Sequence, residues 1–360
     1  MKYFIQELQD DEGLQKTAGI KARDDVDAIL AARGYQPIHI VVDQNKRKEA
    51  GSLESLKIHF EIGRIWKEAL RDLGRGDTLV IQFPVSSHSV MISSQVRKCQ
   101  KRGVRIVLLI HDLETLRILS RDDIKPWVRA RILLEEGNLL KQADCIIAHN
   151  RHMRKRLMEM GYRGDRIINL KIFDYLIPAA DQGRSLDRVR TKNMPLIIAG
   201  ALLRHKAGYI YELPENQTFN LYGKGYEEEG RDNIVYHGAL MPDDLPFELE
   251  GSFGLVWDGS TSATCATGYG EYLKINNPHK TSLYLASGIP VIIWKEAALA
   301  EFVDRYGCGF SVGSLYEIPE RIASLTEEEY EKMLENCRKM SRRLRAGYYT
   351  IHAIEEADPV

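Results

Sequence analysis

The sequence has no long apolar run: nothing in its 360 residues approaches the roughly 20 consecutive apolar positions of a membrane-spanning helix. The opening Met1-Lys2-Tyr3-Phe4-Ile5 runs straight into Gln6 and Glu7, which does not fit a secretory leader. Net charge is nearly absent. Fifty Lys and Arg against 51 Asp and Glu leave -1, so no global attraction to nucleic acid or an anionic membrane is expected. Cysteine is scarce: the five (Cys99, Cys145, Cys265, Cys308, Cys337) are odd in number, far apart and without paired spacing. That excludes a disulfide frame or a cysteine zinc site and points to reduced thiols in a cytoplasmic protein. Internal repeats, low-complexity tracts and the full glycine fingerprint of dinucleotide-binding proteins are also missing, which weakens an NAD reading.

What is present is ordinary soluble composition, 44% hydrophobic and 28% charged, in a chain long enough for two domains. Apolar strands alternate with helical spacing throughout. Strands are expected at 2–8, 37–42, 77–83, 104–110 and 144–148, and helices at 22–32, 53–73, 86–101, 114–119, 127–141 and 151–160. Asn, Pro, Gly and charge interrupt the pattern over 174–193, and the alternation restarts at Pro195. A last long helix, capped by Thr326, runs through Arg345 with glutamates at its start and cations at its end, as the helix dipole favours. The reading is α/β, with two Rossmann-like βα domains. The first spans 1–180, the linker 181–193, the second 194–345 and a tail 346–360. The C-terminal helix is allowed to cross back to the first domain.

One stretch, Trp257 to Trp294, concentrates the chemistry. Its order is strand, small-residue loop, helix, strand. Asn276-Asn277-Pro278-His279-Lys280 opens the helix and Gly288 stops it, with Asn276 or Asn277 as cap and Pro278 in the first turn. A helix N-terminus carries unpaired N–H groups and partial positive charge, and Lys280 adds a full one, so the motif suits a phosphate. An ordinary capped helix fits the same residues.

Several motifs resemble a bacterial glycosyltransferase family that includes glucosyltransferase 3 enzymes and β-1,6-galactofuranosyltransferases. They are Lys16-Thr17-Ala18-Gly19, His111-Asp112-Leu113-Glu114-Thr115-Leu116-Arg117, Leu221-Tyr222-Gly223, Trp257-Asp258-Gly259, Asn276-Asn277-Pro278-His279-Lys280 and Gly288-Ile289-Pro290-Val291-Ile292. They run in matching order over almost the whole chain. The resemblance implies a GT-B fold, a UDP-sugar donor, no metal or other cofactor, a cytoplasmic enzyme and a homo-oligomer. Its partners are then a UDP-sugar and a glycan or glycosylated-protein acceptor, with no nucleic acid and with a peripheral membrane contact allowed. The sugar moved is a hexose of the glucose or galactofuranose type.

Such a transfer needs the leaving diphosphate held, the nucleoside gripped and an acceptor hydroxyl deprotonated. Asn276, Asn277 and Lys280 fit the first task, with Arg204 as a further cation in the loop after Gly200. Tyr222 is a candidate for the uracil or ribose, and Asp258 for sugar or acceptor contact. Thr17 and Gly19 are donor contacts that the family comparison suggests. Asp112, with His111, ends a buried parallel strand, where ligands of such sheets bind. Asp112 as the inverting base is the expectation, and a helix cap is its competitor. Asp25-Val26-Asp27 spells a metal-using Asp-x-Asp, but inside a helix residues two apart diverge, so it reads as a solvated face. The paired glutamates of many retaining enzymes are not seen, which favours inversion. A non-catalytic GT-B-like partner or chaperone of a transferase is the alternative, and an epimerase would share the fold.

Overall fold

Among the described residues two six-stranded parallel sheets organise the chain. The structure is a computed structural model and describes residues 1–8, 18–41, 52–87, 89–117, 124–177, 184–227, 230–266 and 268–358. The first sheet is built from β1 (Lys2–Leu8), α1 (Ala18–Ala32), β2 (Gln36–Val41), α2 (Ser52–Ala69), β3 (Thr78–Phe83), α3 (Val90–Lys101), β4 (Arg105–Ile110), α4 (Glu114–Arg117), α5 (Pro126–Leu140), β5 (Cys145–Ala148), α6 (Arg151–Glu159) and β6 (Ile167–Asn169). The second follows through β7 (Leu196–Ala199), α7 (Arg204–Ala207), β8 (Phe219–Tyr222), β9 (Ile234–Tyr236), α8 (Leu245–Glu248), β10 (Gly254–Val256), α9 (His279–Ala286), β11 (Val291–Trp294), α10 (Ala300–Tyr306), β12 (Gly309–Val312), α11 (Ile318–Ser324) and α12 (Glu327–Arg345). A final helix, α13, covers Tyr348–Ala357.

Strand order in the first sheet is β2-β1-β3-β4-β5-β6, and in the second β12-β11-β10-β7-β8-β9. Both are doubly wound, and each has a point where neighbouring strands lead their helices in opposite directions. Those points lie between β1 and β3 and between β7 and β10. Ligands of such sheets bind beyond the carboxyl ends of the strands at that point. The sequence dictates this layering plainly. In β4, RIVLLI, every residue after Arg105 is buried, as a strand covered on both faces requires.

The α/β expectation of two Rossmann-like domains is borne out. One compact unit gathers β1 to β6, the second half of α1 and the residues from Thr350 on. The other gathers the first half of α1 and Lys171–Tyr349. The passage from one to the other thus falls at Leu170, ahead of the 181–193 segment read as linker. Arg190 holds 184–193 to the second unit: its buried guanidinium donates to the carbonyls of Gly251 (2.6 Å) and Leu249 (3.1 Å). Within 346–360, read as a tail, the structure has α13. The Ala357 carbonyl accepts from Arg105 at 2.7 Å and Asp358 accepts from Thr78 at 2.9 Å, so the C-terminus is tied to β3 and β4 of the first unit.

Local boundaries move where a cap is chosen differently. Helix α1 begins at Ala18 rather than Ala22. Helix α3 is capped by Ser89, whose hydroxyl accepts from the Met91 N–H at 3.2 Å, rather than opening at 86–88. At α12 the expected Thr326 cap is present as a full capping box with Glu329. All five cysteines are free and buried. Among the described residues no helix is long and apolar enough to cross a membrane.

Candidate active site

Backbone from three loops meets at the switch point of the second sheet. The loops after β7 and β10 meet in a parallel bridge between Ala207 and Gly259, and the Gly259 N–H donates to Lys206 O at 2.9 Å. The loop after β8 lies against the loop after β7 so closely that a Cβ on Gly223 would sit 1.8 Å from the Gly200 carbonyl oxygen. Gly223 also has φ 148°, so both space and backbone demand glycine there.

Helix α9 ends at this point with its amino terminus. Pro278, not Asn276 or Asn277, occupies the cap position (φ -65°, ψ 127°) and supplies no side-chain acceptor. The two asparagines are used otherwise. Asn277 is buried and donates through Nδ2 to Lys171 O at 3.1 Å, tying down a residue with φ 78°. The Asn276 Oδ1 is buried and accepts no hydrogen bond among the described residues. Ser282 Oγ donates to Phe173 O at 2.7 Å, and the His279 ring stacks on Tyr175 with centroids 5.0 Å apart. Burial, with the nearby Lys21 charge, lowers the His279 pKa to about 4, against the opposing pull of the Asp174 backbone.

Lys280, in the first turn of α9, reaches back to β10. Its Nζ donates to Trp257 O and to Asp258 Oδ1, both at 2.9 Å. The two side chains keep 16% and 12% of their exposure, so the cation is largely buried and is already neutralised by a carboxylate. Arg204, on α7, is exposed, with its guanidinium 3.8 Å from the centre of the Tyr211 ring and 3.6 Å from Glu227. Tyr222 is a core residue: its ring is covered by His237 at 4.5 Å, and its hydroxyl donates to Glu248 O and accepts from the Glu250 N–H. The face proposed for a base or ribose is therefore occupied by protein. Gly19 falls in the first turn of α1, and Thr17 lies outside the described residues.

In the first unit, β3 and β4 run in register from Thr78 and Arg105 to Phe83 and Ile110, which pairs Gln82 with Leu109, two residues before His111. His111 Nε2 is 2.5 Å from Gln82 Oε1, and Gln82 Nε2 donates to Asp27 Oδ1 at 2.6 Å. Asp112 lies 3.6 Å from Arg117, which also pairs with Glu114 at 2.8 Å. The competing cap role for Asp112 is taken by Glu136 of α5. Its buried carboxylate accepts from the Glu114 and Thr115 N–H groups at 2.7 and 2.9 Å, and burial raises its pKa.

The solvated-face reading of Asp25 and Asp27 is overturned, since both are buried. Helical geometry does send them to different sides. The error lay in assuming that Asp25 and Asp27 faced water: among the described side chains of α1 the exposed ones are Asp24, Ala28, Ala31 and Ala32. Asp25 pairs with Lys21 at 2.6 Å and accepts from the Leu176 N–H, and burial raises its pKa to about 6. Lys21 also meets Asp243 at 2.8 Å. Acids within an otherwise apolar α1 pattern were the available signal.

Two doubly wound units in one chain are the architecture of the GT-B fold, and solved structures share it. WaaG, a glycosyltransferase involved in lipopolysaccharide biosynthesis, aligns over 100% of both chains with a TM-score of 0.56 at 12% identity. The Anabaena protein HepE, solved with UDP, aligns over 99% of both with a TM-score of 0.56 at 13% identity. At those identities the likeness is one of fold.

The chain belongs to the Glucosyltransferase 3-like family: residues 2–172 match its N-terminal domain and 196–357 its C-terminal domain. The β-1,6-galactofuranosyltransferase WbbI of Escherichia coli K12 is 36% identical over 358 residues, covering 98% of this chain and 97% of WbbI. Glucosyltransferase 3 of Streptococcus gordonii is 27% identical over 300 residues, covering 82% of this chain and 84% of that protein. The resemblance read from the motifs holds, and the protein is a hexosyltransferase.

Proposed function

We propose that the protein transfers a hexosyl unit of the glucose or galactofuranose type from a UDP-sugar to a sugar hydroxyl of a glycan or glycosylated protein. The observation that carries this is the meeting of Lys280 with the amino end of α9 at the switch point of the second sheet. A diphosphate seated there receives the helix N–H groups and replaces Asp258 as the counter-charge of Lys280. The leaving phosphate gains its stabilisation from fixed protein dipoles and a side-chain cation, so the reaction as proposed needs no metal.

The acceptor oxygen attacks the anomeric carbon. The bond from that carbon to the β-phosphate oxygen breaks, and its electron pair leaves on UDP. The hydroxyl proton passes to the His111–Asp112 pair at the carboxyl end of β4, and the anomeric centre is inverted. A cytoplasmic location goes with this reading and is supported by the five free cysteines. Mass spectrometry of products from a panel of UDP-sugars and glycan acceptors tests it. Sugar added to an acceptor, with UDP released, is expected. Donor consumed with no acceptor present, or no reaction across the panel, contradicts it.

A further inference from the structure

The chain of contacts that begins at His111 does more than hold a loop. Gln82 and Asp27 are 5% and 8% exposed, so their hydrogen bond is made away from water, while the one to His111 is partly buried. Their direction follows from chemistry. An ionised carboxylate only accepts, so Gln82 turns its NH2 toward Asp27 and its carbonyl oxygen toward His111. That oxygen also only accepts, so the hydrogen lies on His111 Nε2. The basic nitrogen of the neutral ring is therefore Nδ1.

The three groups come from three elements whose spacing is fixed by the sheet. Gln82 is the fifth residue of β3, and His111 follows β4 with its backbone N–H on Phe83 O at 2.7 Å. Asp27 projects from α1 onto the same strand ends. A base, an orienting group and a buried carboxylate behind it form the arrangement that activates a nucleophile. Asp112 stands differently, 40% exposed and sharing Arg117 with Glu114.

We propose that Gln82 and Asp27 are positioning residues that hold His111 as its Nε2–H tautomer, and that His111 Nδ1 rather than Asp112 takes the acceptor proton. This rests on the transferase reading above. As the acceptor oxygen bonds to the anomeric carbon and UDP departs with the electron pair, the hydroxyl proton moves to Nδ1. The ring becomes an imidazolium with both nitrogens protonated. Its Nε2–H is already bonded to a carbonyl dipole that Asp27 orients, so the new charge meets a prepared environment.

The test combines nitrogen-15 NMR of the full chain, labelled at histidine, with steady-state transfer and UDP binding. In the unaltered protein, His111 is expected as the Nε2–H tautomer without substrate present. Gln82→Met keeps the length of the side chain and removes the acceptor. The tautomer preference should vanish and kcat should fall about 100-fold or more, the low end for general base catalysis, with UDP affinity unchanged. Gln82→Glu, protonated on the oxygen that faces Asp27, keeps a donor there and an accepting oxygen against Nε2, and should keep both the tautomer and a kcat within about tenfold of the parent. The Nδ1–H tautomer in the parent protein, or a lost tautomer with unchanged kcat in Gln82→Met, overturns the proposal. Loss of UDP binding and turnover in every form, with the tautomer as expected, instead counts against the transferase reading.

Discussion

Lys280 Nζ sits 2.9 Å from Asp258 Oδ1, so the cation at the α9 terminus meets an internal carboxylate where the donor diphosphate is proposed to sit. The two anions compete for one charge, so removing the cation and removing the internal carboxylate should act in opposite directions. Lys280→Ala should weaken UDP binding by about 10- to 100-fold, since a hydrogen bond to a charged group contributes roughly 1.5–3 kcal/mol. Asp258→Asn should tighten it. Titration calorimetry with UDP reads both, and a weakened Asp258→Asn contradicts the competition.

Glu136 holds the two N–H groups that open α4, directly after His111 and Asp112. Glu136→Ala leaves those donors without their cap and should cost about 1–2 kcal/mol of stability, the upper range for a lost helix cap. It should also lower kcat by loosening the segment that carries His111. Urea unfolding and steady-state rates check the pair of effects. Glu136→Gln, which keeps one acceptor oxygen, should lie between.

Two buried histidines make the protein acid-sensitive. Burial lowers the pKa of His149 to about 3 and that of His279 to about 4, from 6.5. A depressed histidine binds fewer protons folded than unfolded, so its contribution is present above pH 6.5 and is lost as pH falls toward 4. Asp25, raised to about 6, works the other way and gains as pH falls from 6 toward 3.8. His279→Phe keeps a ring against Tyr175 and removes one titration. Its unfolding free energy should therefore decline less between pH 6.5 and pH 4 than that of the parent, and an equal decline contradicts the assignment.

Gly223→Ala should be strongly disruptive. The new methyl would meet the Gly200 carbonyl at 1.8 Å in a backbone region closed to alanine. A loss of more than about 2 kcal/mol is expected, with weaker UDP binding, because backbone at this contact has no room to give. Thermal unfolding and UDP titration read it.

The fold was legible because parallel strands buried on both faces read as continuous apolar runs, as β4 and β11 (VIIW) do. The turn into α9 was legible too, since Pro278 and Lys280 are local signals. What stayed hidden depends on distant partners. Nothing near Lys280 in sequence announces Asp258, 22 residues away, and nothing near His111 announces Asp27 and Gln82. Tyr222 was misread because a strand tyrosine looks alike whether its face meets a ligand or, as here, His237. The cap was placed at Asn276 or Asn277 rather than Pro278 because Asn is a strong capping type, yet the Lys171 carbonyl claims the Asn277 amide.

The most direct measurement is a crystal structure of the protein with UDP. The account predicts the diphosphate at the amino end of α9, with a phosphate oxygen within hydrogen-bond distance of Lys280 Nζ and Asp258 displaced from it. UDP bound elsewhere, with the Lys280–Asp258 pair intact at 2.9 Å, would contradict it.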